Sequence, residues 1–592
     1  MIHYLNRSFK MIHKINKYWI IITIIIRVIN GLFPLAELSI LRSLVNEASK
    51  LIINDNGNIV FLIELILLEF AIQILKSASG NFINVIDTKM ELDLDYNLGK
   101  LIMEKSVKSP YYYYEIPTFY NHLYRIKNNY GNRFLRPIKN ILEALQIGIS
   151  IVSYIGFLFF THWGLVLMGV LVAIPTFIIQ YKYGNSRFYL LKMQSGKVRE
   201  TNYINTLFCD KQSTKEIRLF NLRDTLLKKW TDLILSNNRD VLKLLNKQRF
   251  ASIGLDTFSA LLYSFAAFLT VYIIKIKKIS IGNFVIIVQS LKELQSSVNH
   301  MSIMLATILE SSLYIKDFFE FLDYQESVIE NKIDKNQERL EVDPTNFSKN
   351  ISIQNLFYKY PIGQRYVLKN INLNIKAREK IAIVGDNGSG KTTLIKILVG
   401  LYNPTQGNIL FGDKEIREIK EERLRENITV IFQDFVKFAY SVRENIAFSN
   451  MEKLKLHKDI EKVAKITGVD KLVSKLPEGY DTNLGKILPN SVDISGGEWQ
   501  KIALSRALFK DSKIVILDEP TASLDPETEL DIFNKFIELT QDKTAIYISH
   551  RMADRIIVMR NGEIVEVGSH DDLMKNKHIY FNMYQAQATW YQ

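Results

Sequence analysis

The fold of the second half of this chain is decided by one stretch, Gly385-Asp386-Asn387-Gly388-Ser389-Gly390-Lys391-Thr392. It fits the pattern G-x-x-x-x-G-K-[ST], in which glycines let backbone N–H groups converge on phosphate oxygens. The apolar run Ile381–Val384 precedes it and the helix-forming run Leu394–Leu398 follows it, which is the strand–loop–helix context that the pattern requires. Lys391 is then placed to reach the β- and γ-phosphates, and Thr392 to ligate Mg²⁺. The sequence therefore predicts a site for a nucleoside triphosphate.

Two carboxylates end a second apolar strand further along the chain. The run Lys513–Leu517 leads directly into Asp518 and Glu519. Because the carboxyl ends of parallel strands meet at one edge of a sheet, this pair is predicted to lie beside the phosphate loop. We expect Asp518 to hold Mg²⁺, and Glu519 to orient or deprotonate the water that attacks the γ-phosphate.

Four further features fall where a nucleotide site needs them. The residues Ser495-Gly496-Gly497 open a predicted helix, whose N-terminus suits a γ-phosphate. Gln433 follows one apolar strand run, and His550 follows another. Tyr360 lies on the first strand of this region, where its ring is able to stack on adenine.

The bulk composition separates the two halves of the chain. Hydrophobic residues make up 47% of the 592 residues; the first half carries long apolar runs, and the second alternates short strand and helix runs. The net charge is +13, but it is diffuse and shows no basic stripe interleaved with aromatic residues, so we expect no nucleic-acid partner. The single cysteine, Cys209, excludes an intrachain disulfide.

Six apolar stretches in the first half are each predicted to span a bilayer, which takes about 20 residues. They are Tyr18–Leu38, Ile59–Leu75, Ile138–Phe160, Gly164–Tyr181, Leu255–Ile276 and Ile281–Leu309. Residues 7–17 carry four Lys or Arg side chains and no acidic one, which favours a cytoplasmic N-terminus. Six spans then leave both ends of the chain inside, although Lys277 and its neighbours make one short outer connection basic.

Polar residues interrupt these predicted spans. They are Arg27, Glu64, Glu69, Glu143, Asp256, Gln289, Lys292, Glu293 and Gln295. A charge at membrane depth is costly unless it faces a water-filled cavity or an opposite charge. One interpretation is that some of them line a substrate path; the other is that they pair between helices or lie beyond the bilayer. The sequence leaves both interpretations open.

These observations predict a fold class of two parts. Residues 1–325 are predicted to form a six-helix α transmembrane domain with two cytoplasmic connections, and residues 326–350 a polar linker. Residues 351–592 are predicted to form an α/β P-loop nucleotide-binding domain.

Taken in order, the motifs resemble those of the ABC transporter family, and specifically the half-transporters of the type IV exporter kind. Gly385–Thr392 is similar to the Walker A motif, Asp518 to the Walker B aspartate and Glu519 to the catalytic base. Gln433 is similar to the Q-loop glutamine and His550 to the switch histidine. The resemblance covers essentially the whole chain and implies an ATP hydrolase coupled to transmembrane export, with ATP and Mg²⁺ as cofactors.

The resemblance also assigns residues to roles. Catalytic roles fall to Glu519, His550 and Gln433, and Mg²⁺ contacts to Thr392, Gln433 and Asp518. Nucleotide contacts fall to Tyr360, Gly385, Asn387, Gly388, Ser389, Gly390, Lys391, Thr392, Thr393, Asp518, Ser495, Gly496 and Gly497. The run Ser495–Gly497 resembles the signature motif, which in this family completes the site of the opposite protomer. This implies a dimer; a homodimer is favoured because no catalytic residue is missing, and a heterodimer is the alternative.

Two departures from the family pattern stand near the signature. Glu498 occupies the place where the family usually has glutamine, and Lys486 the place where exporters commonly carry glutamate. In the first half, Tyr111–Arg125 and Thr201–Phe220 resemble the cytoplasmic connections whose short coupling helices dock on the nucleotide domains.

The cargo is the least determined property. The runs Ser495–Ala503 and Glu115–Tyr124 most resemble lantibiotic-type and related bacterial peptide exporters, so we expect export of a modified peptide. A multidrug or lipid exporter, with a small amphipathic substrate, is the alternative. The rich use of Ile, Lys and Asn favours an AT-rich bacterial genome, and hence a multi-pass protein of the bacterial plasma membrane with its nucleotide-binding domain in the cytoplasm.

Overall fold

The structure is a computed structural model, which describes residues 2–54, 57–126, 130–161, 163–277, 280–324, 340–518, 534, 537–538, 540–548 and 553–588. These residues form two compact units. The first unit falls within Met1–Lys108 and Thr118–Gln325, and the second falls within Ser109–Pro117 and Glu326–Gln592.

The first unit is helical throughout its described residues. Its helices are α1 (Ile2–Ile15), α2 (Lys17–Asn54), α3 (Ile59–Lys108), α4 (Pro117–Ile126), α5 (Tyr130–Thr161), α6 (Trp163–Cys209), α7 (Lys211–Leu219), α8 (Arg223–Lys277) and α9 (Ile281–Leu322). Each of the six predicted spans lies within one of the long helices α2, α3, α5, α6, α8 and α9. The helices run well beyond the apolar stretches, because their polar continuations keep helical propensity.

Within the described residues, four segments of these helices are long and apolar enough to cross a membrane. They are Lys17–Ile52, Tyr130–Phe160, Trp163–Arg187 and Arg223–Phe268. Helices α3 and α9, which carry the other two predicted spans, are interrupted by more polar residues. On α3, however, Leu67 and Phe70 are each 61% exposed, which is the outward apolar surface that suits lipid.

A buried group of charges joins helices α2, α3 and α5. The carboxylate of Asp87 accepts a hydrogen bond from Trp19 Nε1 at 3.1 Å and lies 3.7 Å from Arg27 Nη2. Lys139 Nζ lies 3.4 Å from Asp87 and 2.6 Å from Glu91. Arg27 therefore pairs between helices, in line with the second interpretation of the charges in the spans.

The second unit contains two sheets. Its strands are β1 (Ile351–Tyr358), β2 (Leu368–Ile375), β3 (Lys380–Gly385), β4 (Gln406–Phe411), β5 (Lys414–Glu415), β6 (Ile428–Ile431), β7 (Ile514–Asp518), β8 (Thr544–Ile548), β9 (Arg555–Arg560) and β10 (Glu563–Gly568). The larger sheet has the order β10-β9-β3-β8-β7-β6, parallel except for β10, and the smaller one, β2-β1-β4-β5, is antiparallel. Strands β7 and β8 are buried along their whole length, because a parallel sheet is covered on both faces.

Helices complete the second unit. They are α10 (Lys391–Leu398), α11 (Glu421–Asn427), α12 (Val442–Ala447), α13 (His457–Thr467), α14 (Asp470–Val473), α15 (Gly496–Phe509), α16 (His570–Asn576) and α17 (Ile579–Ala588). Helix α15 buries Ala503, Leu504 and Ala507 against β6, β7 and β8, which fixes its position relative to the parallel sheet.

Candidate nucleotide-binding site

The predicted site residues come from one edge of the parallel sheet. Ala382 of β3 is level with Tyr547 of β8, and Tyr547 is level with Leu517 of β7. The loop that follows β3 and the carboxylate of Asp518 at the end of β7 therefore lie at the same edge. Only β8 separates the two strands, which corresponds to about 10 Å at the usual strand spacing.

The phosphate loop has a shape that only glycine allows at its two ends. Gly385 and Gly390 have φ of +154° and +102°. A Cβ on Gly385 would lie 2.1 Å from the carbonyl oxygen of Met559, and one on Gly390 would lie 2.7 Å from Leu368 Cδ2. The loop is thus packed closely against its neighbours, in a backbone conformation that needs glycine at both positions.

Polar groups in the loop fit a phosphate chain. Ser389 is 3% exposed, and its Oγ has no hydrogen-bond partner within the described part of the chain. Lys391 Nζ donates to the carbonyl oxygens of Gly385 at 2.8 Å and Asp386 at 3.1 Å, so its ammonium group folds over the loop. Asn387 and Thr392 are exposed at the loop and the first turn of α10, where ligand oxygens are able to reach them.

Tyr360 lies two residues beyond the end of β1, not on the strand as predicted, and belongs to an aromatic cluster beside the loop helix. Its hydroxyl lies 3.1 Å from the Oγ1 of Thr393, and its ring lies 5.3 Å from Tyr358 and 5.7 Å from Tyr402. The Tyr402 hydroxyl donates a hydrogen bond to the carboxylate of Glu115. The pKa of Tyr402 is raised mainly by burial and secondly by the hydrogen bond to the Glu115 carboxylate. The phenol therefore keeps its proton and remains a donor. The structure thus connects the candidate adenine-stacking ring to the segment 109–117.

The candidate Mg²⁺ ligands are all oxygen donors. Asp518 is 3% exposed at the end of β7, and Gln433 follows β6, the neighbour of β7, as an exposed residue. With the hydroxyl of Thr392 they offer a carboxylate, an amide and a hydroxyl oxygen, the hard donors that Mg²⁺ takes together with phosphate and water. Glu519 and His550 lie outside the described residues, so their roles stay predictions.

The predicted signature run begins helix α15 with a reciprocal cap. The backbone N–H and Oγ of Ser495 both donate to Glu498 Oε2 at 2.8 Å, and Glu498 N–H donates back to Ser495 Oγ at 3.3 Å. Gly496 and Gly497 form the first turn. Glu498 is therefore the capping partner of Ser495, a role that the spacing S-x-x-E indicates and that our sequence reasoning missed.

The second departure near the signature also has a partner. Lys486 Nζ lies 3.0 Å from the carboxylate of Asp493, two residues before Ser495. Both side chains are largely exposed, so the pair contributes little stability. In this pair the charge of Lys486 is balanced by Asp493 just before the signature helix.

Comparisons with known proteins show which family the chain resembles. The profile of the family described as "ABC transporter" matches residues 368–522. The chain is 31% identical over 98% of its length, and 96% of the relative, to the "Nisin transport ATP-binding protein NisT" of Lactococcus lactis subsp. lactis. It is 30% identical over 98% of its length, and 94% of the relative, to the "Subtilin transport ATP-binding protein SpaT" of Bacillus subtilis.

A solved structure has the same fold. It is described as a bacterial Atm1-family ABC exporter with ATP bound, and it aligns with a TM-score of 0.78 at 21% identity over 96% of this chain and 98% of its own. The predicted fold class, a helical membrane part followed by an α/β nucleotide-binding part, is confirmed.

Fold and site together define an ATP-binding hydrolase joined to membrane-spanning helices. The chain belongs to the ABC transporter family. It is a multi-pass membrane protein and an exporter in which ATP hydrolysis is coupled to export. The predicted family and enzyme class are thereby confirmed.

Proposed function

We propose that this chain is one half of a dimeric exporter that moves a peptide across the bacterial plasma membrane. The observation that carries the proposal is its similarity, over 98% of its length, to two proteins named for nisin and subtilin transport. Residues 1–325 would form the transmembrane domain, residues 326–350 the linker, and residues 351–592 a cytoplasmic ATP-binding cassette domain.

The geometry of the loop and the sheet edge supports the nucleotide contacts that the sequence assigns. Tyr360 stacks on the adenine, and the loop N–H groups with Lys391 hold the β- and γ-phosphates. Thr392, Gln433 and Asp518 would hold Mg²⁺, which supplies charge neutralisation between the β- and γ-phosphates. The sequence assigns the deprotonation of water to Glu519, with His550 contacting the γ-phosphate.

The signature helix is assigned to the nucleotide of a second copy. The N-terminus of α15 carries the positive end of a helix dipole and the hydroxyl of Ser495, which suit a γ-phosphate. Two copies then build two composite sites. A native mass that shows one copy bound to a different half-transporter would replace the homodimer with a heterodimer.

Replacing Glu498 with glutamine tests this assignment. Glutamine preserves the capping hydrogen bonds, and it removes one negative charge from the turn that faces phosphate. We expect the KM for ATP to fall about fivefold, corresponding to about 1 kcal/mol, with the thermal stability nearly unchanged. Steady-state ATPase assays on the full chain measure this, and Glu498→Ala, which loses the cap, is the control that lowers stability. An unchanged KM would remove α15 from the site.

Closure of the two nucleotide domains is proposed to drive alternating access. The coupling connections contain two short helices, the 3₁₀ turn Tyr111–Glu115 and α7. An Asp210 side chain caps α7 by accepting from Ser213 N–H at 2.9 Å, which keeps this short helix formed. Short helices of this kind would transmit the closure of the nucleotide domains to the membrane helices, which would then open the substrate path to the other side of the membrane.

ATP-dependent uptake into inside-out vesicles tests the cargo. Cationic peptides with and without leaders are compared with a dye and a labelled lipid, and Glu519→Gln protein serves as the inactive control. Peptide uptake that is lost in the control supports the proposal. Uptake of dye or lipid without peptide would replace it with the multidrug or lipid alternative.

A further inference from the structure

A polar cavity lies between three helices of the first unit. It has a volume of about 560 Å³ and is lined by residues of α6, α8 and α9. Its charged residues are Arg187, Arg249, Lys292 and Asp256, three cations against one carboxylate. We call it the basic cavity.

The three cations of the basic cavity do not contribute ion pairs to the packing of the described helices. Within the described residues, Arg187, Arg249 and Lys292 form no ion pair and no side-chain hydrogen bond. Elsewhere these helices do pair their charges, as Lys229 does with Glu200 at 2.6 Å. All three side chains are exposed where they line the cavity, so their charges are available to a ligand.

Carboxamide side chains complete the walls. Gln180 is 8% exposed and accepts a hydrogen bond from Gln248 Nε2 at 3.0 Å. Gln295 Nε2 donates to Ser259 Oγ at 2.8 Å, which holds its amide in one orientation. Asn299 also lines the cavity, and its Oδ1 is buried without a partner among the described residues. Such amides, which both donate and accept, match the polar groups of a peptide backbone.

We propose that the basic cavity binds an acidic stretch of the exported peptide. Arg187, Arg249 and Lys292 pair with its Asp or Glu carboxylates, and the carboxamides hydrogen-bond its backbone. The excess of two cations over acids lets the cavity neutralise two carboxylates of the cargo, and its volume lies in the usual range of ligand sites, about 300–1,000 Å³. This inference rests on the proposed peptide export.

A second cavity in the first unit shows that the excess of positive charge is confined to the basic cavity. It has a volume of about 600 Å³ and is lined by residues of α2, α3, α5 and α9, among them Glu37, Glu69, Glu293 and Lys76. Lys76 Nζ pairs with Glu37 at 2.6 Å, which leaves a net negative charge. The neighbours Lys292 and Glu293 therefore line cavities of opposite charge. Glu293 thus offers a matched control on the same helix.

Binding to the full chain in nanodiscs of neutral phosphatidylcholine, without nucleotide, tests the proposal. The probes are a labelled short peptide with adjacent aspartates and a twin in which asparagine replaces them. By fluorescence anisotropy, we expect the acidic peptide to bind about tenfold more tightly than its twin. The double variant Arg249→Gln/Lys292→Gln should abolish this preference, and Glu293→Gln should retain it.

A charge reversal separates an effect on binding from an effect on folding. Arg249→Glu should turn the preference towards a peptide with adjacent lysines, a change that mere misfolding does not produce. Equal binding of both twins to the wild type would overturn the inference. So would loss of the preference when phosphatidylglycerol is added, because the cations would then serve lipid headgroups.

Vesicle uptake distinguishes failure of this inference from failure of peptide export. If the wild type takes up the aspartate peptide and its asparagine twin at equal rates and with equal KM, peptide export stands and the basic cavity does not select acids. If neither peptide enters the vesicles while dye or lipid does, the proposed function itself is wrong.

Discussion

Replacing Lys391 with methionine should lower kcat/KM for ATP by about a hundredfold to a thousandfold. Lys391 Nζ already donates to two carbonyl oxygens of the loop, and we propose that in the bound state the same ammonium group pairs with the β- and γ-phosphates. Methionine has a similar length and helix propensity but no charge, so helix α10 should remain formed. The loss is expected in nucleotide binding and in hydrolysis alike.

The measurement is steady-state ATP hydrolysis by the full chain in nanodiscs, with ATP affinity taken from calorimetry. Lys458→Met is the matched control, since Lys458 is an exposed lysine of helix α13. Its hydrolysis should equal that of the wild type. If Lys391→Met kept its hydrolysis within a few-fold of the wild type, the loop would not be the catalytic phosphate site.

Replacing Asp87 with leucine should cost about 3–5 kcal/mol of unfolding free energy. The buried carboxylate accepts from Trp19 and faces Arg27 and Lys139, so leucine leaves three donors without this acceptor. Lys139 keeps its ion pair with Glu91 at 2.6 Å, whereas Arg27 is only 6% exposed and has Asp87 as its only ion-pair partner among the described residues. The stranded Arg27 should therefore carry most of the cost.

Unfolding by SDS titration in mixed micelles measures this free energy. Glu104→Gln on the same helix is the control, because Glu104 lies at the surface, 4.0 Å from Lys100, and should change stability by less than about 0.5 kcal/mol. The double variant Arg27→Leu/Asp87→Leu should be more stable than Asp87→Leu alone, since the isolated charge is gone. Equal losses for Asp87→Leu and Glu104→Gln would contradict the buried cluster.

Local patterns were sufficient for the parts of the site that lie within a few residues of one another. The phosphate loop needs positive φ at its glycines and a strand before it, and both are written in Gly385–Thr392 and its flanks. Asp518 was predictable for a similar reason, because an apolar run that stops at a carboxylate is a buried strand that ends at a sheet edge. The six apolar runs likewise indicated six long helices.

Contacts between distant residues were not predictable from the sequence. The hydrogen bond between Tyr402 and Glu115 joins residues far apart in the chain, as does that between Trp19 and Asp87. Periodicity shows that a side chain faces inwards, but it does not identify the neighbour that it meets there. Lys292 and Glu293 illustrate this limit, because these two adjacent residues line two cavities of opposite charge.

The order of strands in the parallel sheet determines when the phosphate loop is able to form during translation. Strand β3 has β8 and β9 as its neighbours, and both are translated long after it. Until they leave the ribosome, β3 has no hydrogen-bonding partner in its sheet, and Gly385 lacks the Met559 carbonyl against which it packs. Long-range pairing of this kind is completed late in folding. We therefore expect a nascent exporter whose helices have entered the membrane to hydrolyse ATP only after β8 and β9 have been synthesised.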